Sequence, residues 1–335
     1  MSNWLSVIPQ SKMKFTYNDE SHATDMTETE DTLDMDLYSY FYGLVRQIPR
    51  GMVSTYGDLA RALGDIAASR ACGYMLSINP DPEGTPCYKV VRSDGTVGKY
   101  THILGEVEKI RRLERDGVTV EGDSVNNFEQ IRFKDFETDF PLNSLRSEQE
   151  RVASMVDLND DFVASRVAAV DVSYDDEYGY GAMAIDDGGN IEIRESVQEV
   201  RFPYIPGYLA FREFKFIKEL AGNFDGVLLM DGNGLLHPRK IGLASYAGVM
   251  LNIPTIGVAK SLLLGTVSDN WVHMGEEKVA YVINKNTIVS PGHKVSLGSS
   301  VDLVKKLGHG KYPDILKIAH NNTVRLRHEK HRLLR

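Results

Sequence analysis

The sequence predicts an α/β protein of two domains, a mainly helical domain followed by a mixed α/β domain. Three observations predict this organisation. The chain has 335 residues and 42% of them are hydrophobic, which is more than one core usually supports. Up to about residue 122, apolar residues recur at helical spacing between short Gly- and Pro-containing connections. After residue 143, β-branched runs alternate with helical stretches, a pattern typical of a mixed sheet with helices on its faces.

The two ends of the chain carry opposite charge. Residues 1–36 hold eight Asp and Glu against Lys12 and Lys14, and they are predicted to form an acidic, disordered tail. Residues 329–335 are predicted to form a basic tail that could contact phosphates. The net charge of -9 therefore does not exclude a nucleic-acid partner, because the distribution of charge matters more than its sum.

Cysteine content and apolar runs predict the cellular setting. Two cysteines cannot build a disulfide framework, so a reduced, intracellular protein is expected. No apolar run reaches membrane-spanning length, and the first residues lack the features of a signal peptide. The prediction is a soluble protein of the cytoplasm with no membrane partner.

The first domain, residues 37–122, contains a predicted helix-turn-helix. Its first helix lies in "STYGDLARAL", where Thr55 stands three residues before Asp58 in a capping-box-like start. Its second helix lies in "ASRACGYMLSI", and only "GDIA" joins the two. An ordinary pair of packed helices is the alternative.

A linker is predicted over residues 123–144, and the second domain over residues 145–328. That domain begins with antiparallel strands and continues with a β-α-β unit. The predicted strands lie in "RVAAVDVSY", on both sides of the Asp-Gly-Gly turn in "GAMAIDDGGNIEIRE", in "FDGVLLMDGNG" and in "PTIGVAKS", with a helix in "GLASYAGVML".

Carboxylates in the second domain indicate metal chemistry. Asp171 lies within the first strand and Asp231 ends the strand "GVLLMD", where an unpaired charge would be costly to bury. A divalent cation would compensate both, and oxygen ligands favour magnesium or manganese. Glu213 is a candidate third ligand and His293 a candidate fourth. A capped turn or a surface ion pair is the alternative for each acid taken alone.

Five motifs identify a family resemblance for residues 145–320. The stretch "DGNGLLHPRKIGLASYAGV", with "VAAVDVSY", "FPYIPGYLAFRE", "IGVAKSLL" and "SPGHKVSL", resembles endonuclease V, a DNA repair nuclease with a ribonuclease-H-like fold. The resemblance implies magnesium-dependent cleavage, with manganese as a substitute, at the second phosphodiester bond 3' to deoxyinosine. The expected products carry 3'-hydroxyl and 5'-phosphate ends.

The same resemblance implies roles for individual residues. The metal-binding acids fall on Asp171, Glu213 and Asp231, the catalytic histidine on His293, and the lysine near the phosphate on Lys260.

Further positions match the part of the family that handles the lesion. Tyr204 lies in "PYIP", which matches a strand-separating wedge, although the bare tetrapeptide is only a rigid turn. The lesion pocket is expected to include Gly232, Gly234, His237 and Arg239.

The first domain resembles a second family. The stretches "IPRGMVSTYGDLARALG", "SRACGYMLSINP", "PCYKVVRSDGTVGKY" and "EKIRRLERDGV" resemble the DNA-binding half of O6-alkylguanine-DNA alkyltransferase, also called methylated-DNA-protein-cysteine methyltransferase. This resemblance implies a winged helix-turn-helix. It also implies that Cys87 accepts the alkyl group from the O6 of guanine in a single turnover. Cys72 is interpreted as a packing residue.

The alkyltransferase resemblance places further residues at the DNA. Arg70 would replace the flipped base, Tyr56 would help rotate its phosphate, and Asn79 would support the cysteine loop. Tyr88 belongs to the same lesion-binding set.

Two positions directly after the cysteine and one near the end of the domain depart from the family. Tyr88 and Lys89 stand where histidine and arginine are usual, and Asp116 stands where glutamate is usual. A tyrosine is a much poorer base than a histidine. Lys89 or a helix N-terminus could favour the thiolate instead.

The sequence as a whole predicts a bifunctional DNA repair protein, located with chromosomal DNA. Its partner is damaged DNA containing deoxyinosine or O6-alkylguanine. The alternative is endonuclease V tethered to an inactive, alkyltransferase-like lesion-binding module. A purely structural DNA-binding protein is a third reading, and it would require the acid set to be metal-free.

Overall fold

The structure, a computed structural model, describes residues 35–101, 103–163 and 165–333. The predicted acidic tail lies outside these ranges except for Met35 and Asp36. The Asp36 side chain caps the first helix by accepting a hydrogen bond from the amide of Ser39. The predicted basic tail belongs, up to residue 333, to the last helix.

The first domain contains helices α1 to α4. They span Leu37–Arg46, Tyr56–Leu63, Ser69–Ser77 and Gly105–Arg115. The capping-box-like start is confirmed, because the Thr55 hydroxyl accepts a hydrogen bond from the Asp58 amide at 3.0 Å. Helix α2 ends at Gly64, whose φ of +104° favours glycine. A 3-10 turn over Ile66–Ala68 then leads into α3, so the two predicted helices are present.

Short strands complete the first domain. Strands β1 and β2 form a parallel pair, and strands β3 and β4 form an antiparallel pair. These strands span Ser54–Thr55, Val90–Val91, Val120–Glu121 and Ser124–Val125, and helix α5 spans Phe128–Ile131.

The segment predicted as a linker packs against the first domain. It contains β4 and α5, and Arg132 beyond them forms a β-bridge with Val53. The Arg132 side chain also binds the buried Asp58 carboxylate at 2.8 Å. These long-range contacts hold the connector on the first domain.

A nine-stranded sheet forms the centre of the second domain. Its strand order is β10-β11-β12-β13-β9-β8-β5-β6-β7, and only the β5/β8 and β8/β9 pairs are parallel. The strands β5 to β13 span Arg166–Tyr174, Tyr178–Asp187, Asn190–Glu199, Val227–Met230, Thr255–Ala259, Thr266–Ser268, Trp271–Met274, Glu277–Asn284 and Thr287–His293. The strands predicted from the sequence are all present.

Five helices, α6 to α10, surround this sheet. They span Pro141–Ala153, Leu209–Ala221, Leu243–Leu251, Leu297–Gly308 and Asp314–Leu333. The predicted β-α-β unit corresponds to β8, α8 and β9.

The two domains share one hydrophobic core. A single cluster of buried side chains contains Phe41 and Met75 of the first domain together with Leu145, Phe211 and Ala247 of the second. Burial of apolar surface therefore holds the domains together. In the described ranges, no helix is long and apolar enough to cross a membrane.

Candidate active sites

Three charged side chains meet at the carboxyl ends of the parallel strands. Val170 of β5 is paired with Met230 of β8, so Asp171 and Asp231 follow them side by side. Lys260 directly follows β9, the next parallel strand, and its ammonium group binds the Asp231 carboxylate. The carboxyl ends of parallel strands share one edge of a sheet, which is why residues far apart in the sequence converge here.

Glu213 faces the two aspartates from helix α7. Its side chain is only 8% exposed. Burial raises the pKa of Glu213 well above its usual value, and the negative charges of Asp171 and Asp231 raise it further. Burial, opposed by Lys260, likewise raises the pKa of Asp231. The predicted acid set is therefore one electrostatically coupled group.

The histidine next to these acids is His320. Its Nδ1 lies 2.9 Å from Oδ2 of Asp171, and the Thr323 hydroxyl lies 3.4 Å from the same oxygen. Both residues are on α10, which packs on β5 and β6. The sequence analysis missed His320, because nothing in its local pattern sets it apart from the other polar residues of that helix.

His293, the predicted catalytic histidine, has a different environment. It is paired with Thr255, the first residue of β9, whereas Lys260 lies past the other end of that strand. Four residues of strand separate the two ends by roughly 13 Å. The His293 side chain is buried, and its Nδ1 accepts a hydrogen bond from the Asp157 amide at 3.1 Å. The structure thus places His293 in the packing of the sheet and His320 at the acids.

The acid set fits a divalent cation chemically. Asp171 and Asp231 both raise the pKa of Glu213, and the positive charge of Arg212 opposes them only in part, so a bound cation would stabilise the ionised carboxylate. Nevertheless, the described part of the chain contains no preformed group of three His, Cys, Asp or Glu ligands. Lys260 and His320 occupy oxygens of Asp231 and Asp171 instead. Cation binding would therefore displace Lys260 from Asp231, whereas at Asp171 it can use Oδ1 and leave the His320 contact on Oδ2 in place.

A small cavity lies beside the predicted wedge. Its volume is about 80 Å³, and Tyr204, Gly207, Asn233 and His237 are among the residues that line it. Tyr204 is 59% exposed, an unusual position for a large aromatic side chain. The predicted wedge and one predicted pocket residue are thus neighbours.

The carbonyl oxygen of Gly207 organises this cavity. It accepts hydrogen bonds from Arg239 Nη2 at 2.6 Å and from Gln149 Nε2 at 3.0 Å, and His237 Nε2 lies 3.2 Å away. His237 Nδ1 accepts from the Arg239 amide. Burial and the neighbouring Arg239 lower the pKa of His237 to about 4, so the imidazole is neutral near pH 7.

The two predicted pocket glycines differ in their packing. A Cβ atom on Gly234 would lie 2.0 Å from the Pro291 carbonyl oxygen, so only glycine fits there. A Cβ atom on Gly232 would meet only ordinary contacts at 3.4 Å. Between them, the buried Oδ1 of Asn233 has no hydrogen-bond partner within the described residues. An unpaired buried acceptor is costly unless a ligand satisfies it.

In the first domain, Cys87 begins a 3-10 turn and is 7% exposed. Its Sγ lies 3.9 Å from the Tyr100 hydroxyl. The Asn79 amide donates to the Thr85 carbonyl in the loop before Cys87, at 3.1 Å. Asn79 therefore contacts the cysteine loop, as expected for a supporting residue.

The residues after Cys87 form a separate network. The Tyr88 hydroxyl lies 3.4 Å from one Asp116 oxygen, and Lys89 Nζ lies 3.0 Å from the other. Lys89 also donates to the carbonyls of Ile48 and Pro49. Burial and then Asp116 raise the pKa of Tyr88, so near neutral pH its hydroxyl stays protonated and cannot accept the thiol proton. Lys89 binds these groups and not the thiol.

Lys109 is the buried cation that the sequence analysis missed. Its Nζ donates to the carbonyls of Val90 and Val97 at 2.7 and 2.6 Å. Burial lowers the pKa of Lys109 to about 8, and the charge of Cys87 opposes that shift. Its spacing of four residues from the buried Leu113 was the available signal, because such residues share a helix face.

Arg70 and Tyr56 differ in exposure. Arg70 is exposed on α3, as a DNA-contacting residue must be. Tyr56 is half-buried, and its ring packs against Gly73 of α3. Cys72 is fully buried, in agreement with a packing role.

Comparisons with known proteins agree with this arrangement. The endonuclease V family matches residues 150–321, and the family "6-O-methylguanine DNA methyltransferase, DNA binding domain" matches residues 36–118. A bifunctional methyltransferase/endonuclease of Picrophilus torridus is 52% identical over 293 residues, covering 88% of this chain and 97% of that protein. The chain belongs to the bifunctional methyltransferase/endonuclease family. Both resemblances found in the sequence are confirmed.

Other members and structures extend this result. A bifunctional methyltransferase/endonuclease of Thermoplasma volcanium is 47% identical, covering 87% of this chain and 90% of that one. The endonuclease V structure from Streptomyces avermitilis has a TM-score of 0.53 at 29% identity, covering 56% of this chain and 94% of that one. Endonuclease V of Ciona intestinalis, bound to DNA containing an inosine, has a TM-score of 0.51 at 26% identity, covering 57% and 99%. This methyltransferase/endonuclease is thus a two-part DNA repair protein whose second domain has the endonuclease V fold.

Proposed function

We propose that the second domain nicks DNA at the second phosphodiester bond 3' to deoxyinosine and requires Mg²⁺, for which Mn²⁺ can substitute. One observation carries the proposal: Asp171 and Asp231 lie side by side, and their charges help raise the pKa of Glu213. The inosine-containing DNA bound by the Ciona protein supports the choice of substrate.

These acids would hold the cation through Asp171, Glu213 and Asp231. A Mg²⁺ ion held there would supply Lewis-acid chemistry for phosphodiester hydrolysis. Release of Lys260 from Asp231 would let its ammonium group bind a phosphate oxygen. With Nδ1 of His320 held by Asp171, Nε2 is the nitrogen left to exchange a proton with the substrate.

The cavity beside Tyr204 would receive the flipped base. Tyr204 would fill the gap left in the helix, because an exposed aromatic ring next to rigid prolines can stack on the neighbouring bases. Asn233 Oδ1 offers an acceptor. Hypoxanthine presents a donor at N1 where adenine presents an acceptor, so this oxygen favours the deaminated base.

A nicking assay tests this proposal. The substrate is a duplex with one deoxyinosine and an end label on the damaged strand. In Mg²⁺, but not in EDTA, it should give one labelled product, which results from a single cut at the second phosphodiester bond 3' to the lesion. The same duplex with deoxyadenosine is the control. Asp171→Asn and Asp231→Asn should each abolish the product. Nicking that persists in either variant or in EDTA would exclude the proposed chemistry.

We infer that the first domain transfers the alkyl group of O6-alkylguanine to Cys87. The thiolate attacks the alkyl carbon, the S–C bond forms as the C–O6 bond breaks, and the electron pair stays on guanine, which takes up a proton. Cys87 remains alkylated, so each chain acts once. Lys109 supports this function, because its buried ammonium group donates to the carbonyl of Val90, directly after the 3-10 turn that Cys87 begins.

Intact-mass analysis after incubation with an O6-methylguanine duplex tests the transfer. A gain of one methyl group, mapped to Cys87 and absent in Cys87→Ala, is expected. The alternative is a lesion-binding module without transfer. The ion pair of Lys89 with Asp116 favours it, because Lys89 contacts that carboxylate and not the thiol. Tight lesion binding with no mass gain would establish that alternative.

A further inference from the structure

A polar cluster outside both sites joins the helix-turn-helix to the nuclease domain. We name it the Asp65 junction; it consists of Asp65, Arg146 and Tyr208. Asp65 lies in the turn between α2 and α3, and its Oδ2 accepts hydrogen bonds from the Tyr208 hydroxyl at 2.6 Å and from Arg146 Nη2 at 2.9 Å. Its Oδ1 accepts from the Ala67 amide at 2.9 Å. One carboxylate therefore holds both the 3-10 turn that leads into α3 and two nuclease side chains.

The junction is charge-assisted, and two of its three side chains are largely buried, whereas that of Arg146 is 38% exposed. Tyr208 is fully buried and the Asp65 side chain is 16% exposed. Burial acts to raise the pKa of Asp65, but the bonds from Tyr208, Ala67 and Arg146 together hold it below its usual value. Hydrogen bonds to an ionised carboxylate are stronger than neutral ones. The contact is therefore a firm connection and not an incidental surface pair.

The backbone next to Asp65 also fits closely against the nuclease domain. A Cβ atom on Gly64 would lie 3.0 Å from the Asn143 amide nitrogen and 3.1 Å from the Phe140 carbonyl oxygen. Both belong to the start of α6. A larger residue would push the turn away, so glycine serves here for its small size as well as its positive φ.

The Asp65 junction is one anchor between the domains, and a second anchor binds α3 directly. The Tyr74 hydroxyl donates to Asp176 Oδ1 at 2.9 Å. Asp176 lies in the turn after β5, the strand that carries Asp171. Tyr208 in turn immediately precedes α7, the helix that carries Glu213. The two anchors thus connect α3 to both segments that position the acids.

The expected DNA-contacting residues flank these anchors. Arg70 follows Asp65 by five residues of 3-10 and α-helix, and Tyr204 precedes Tyr208 by four residues. The lengths of these two chain segments, added to the span of the Asp65–Tyr208 contact, limit the distance between Arg70 and Tyr204 to at most about 36 Å. This is about one turn of duplex DNA. Both residues are exposed.

We propose that Asp65 and Tyr74 are positioning residues that fix α3 relative to the nuclease acids, so that one duplex is held by both lesion sites at a set spacing. This inference rests on the proposed function. Its consequence is avidity: two lesions at the right spacing on one duplex bind as an intramolecular pair, which raises apparent affinity by a factor of about 100 or more.

The test uses the full chain carrying Cys87→Ala, so that the alkylguanine persists. Single-turnover nicking in Mg²⁺ is measured on duplexes with deoxyinosine alone, and with O6-methylguanine placed 2 to 16 base pairs from it. The DNA concentration for half-maximal rate should fall about 100-fold at one spacing within about one helical turn, with the maximal rate unchanged. Tyr74→Phe combined with Tyr208→Phe should weaken that gain at least about tenfold. Tyr40→Phe, which loses a hydroxyl bonded to Thr138 within the first domain and its connector, is the matched control.

The outcomes separate the two proposals. A spacing optimum that the double variant weakens and Tyr40→Phe leaves intact supports the positioning role. Normal nicking of the single-lesion duplex with no spacing optimum overturns it while the nuclease function stands. An optimum that persists unchanged in the double variant overturns the assignment to these anchors. Absence of nicking on every duplex overturns both proposals. Thermal melting of each variant verifies that it is folded.

Discussion

The contact between His320 and Asp171 gives the sharpest prediction. We expect His320→Ala to slow nicking of an inosine duplex 10²- to 10⁴-fold, the usual loss when a positioned proton-transfer group is removed. That loss corresponds to about 3–5 kcal/mol of transition-state stabilisation. The His320 side chain is 48% exposed, so losing its contact with Asp171 should cost no more than about 1 kcal/mol of folding stability.

His293→Ala should lower folding stability and leave the nicking rate nearly unchanged. The His293 side chain is 6% exposed, and its loss leaves a cavity and an unpaired Asp157 amide. We expect a stability loss of about 2–4 kcal/mol, because a large-to-small core change and an unsatisfied amide both destabilise. The nicking rate of the molecules that remain folded should stay within a few-fold of the parent.

Single-turnover nicking and urea melts of both variants provide the assay. Rates are normalised to the folded fraction at the assay temperature, which separates catalysis from stability. The reasoning is refuted if His320→Ala nicks within threefold of the parent. A 100-fold loss in folded His293→Ala would return the catalytic role to that residue.

Three further predictions follow from the buried groups. His237, with its pKa lowered to about 4, stays neutral in the folded chain while the unfolded chain protonates near pH 6.5, so stability should fall by up to about 3 kcal/mol as pH drops from 6.5 to 4. Urea melts at several pH values across that range measure the free energy of unfolding. For His237→Gln this free energy should change less with pH than for the parent, and an equal pH dependence would contradict the prediction. Lys109→Met should slow methylation of Cys87 at least about tenfold at pH 7, measured by mass, and an unchanged rate would remove Lys109 from the site. Asn233→Leu should lower the ratio of inosine to adenine nicking about tenfold, whereas an unchanged ratio would exclude base reading by its oxygen.

Local patterns predicted the elements of the second domain well. The β-branched run containing Asp171 and the apolar strand ending at Asp231 were visible because strand residues are consecutive in the chain. The position of Asp231 at a strand end also indicated its chemistry. Glu213 came only from the family resemblance, since one acid in a helix carries no local signal.

The connector, residues 123–144, makes contacts that its composition does not record. Its polar composition indicated a linker, yet Arg132 is bound to Asp58, 74 residues earlier in the chain. A buried ion pair between distant residues stabilises such a segment without any apolar periodicity. Composition alone therefore underestimates how much of a polar stretch is packed.

By itself, the sequence determined which residue types stand at the ends of which strands, the capped start of α2 and membership of two families. The tertiary structure alone decided which histidine meets Asp171, which lysine lies near Cys87, and that Asp65 connects the domains through Tyr208. The physical reason is that these contacts depend on sheet register and helix docking. They join residues as many as 149 positions apart, and no local period of apolar residues records them.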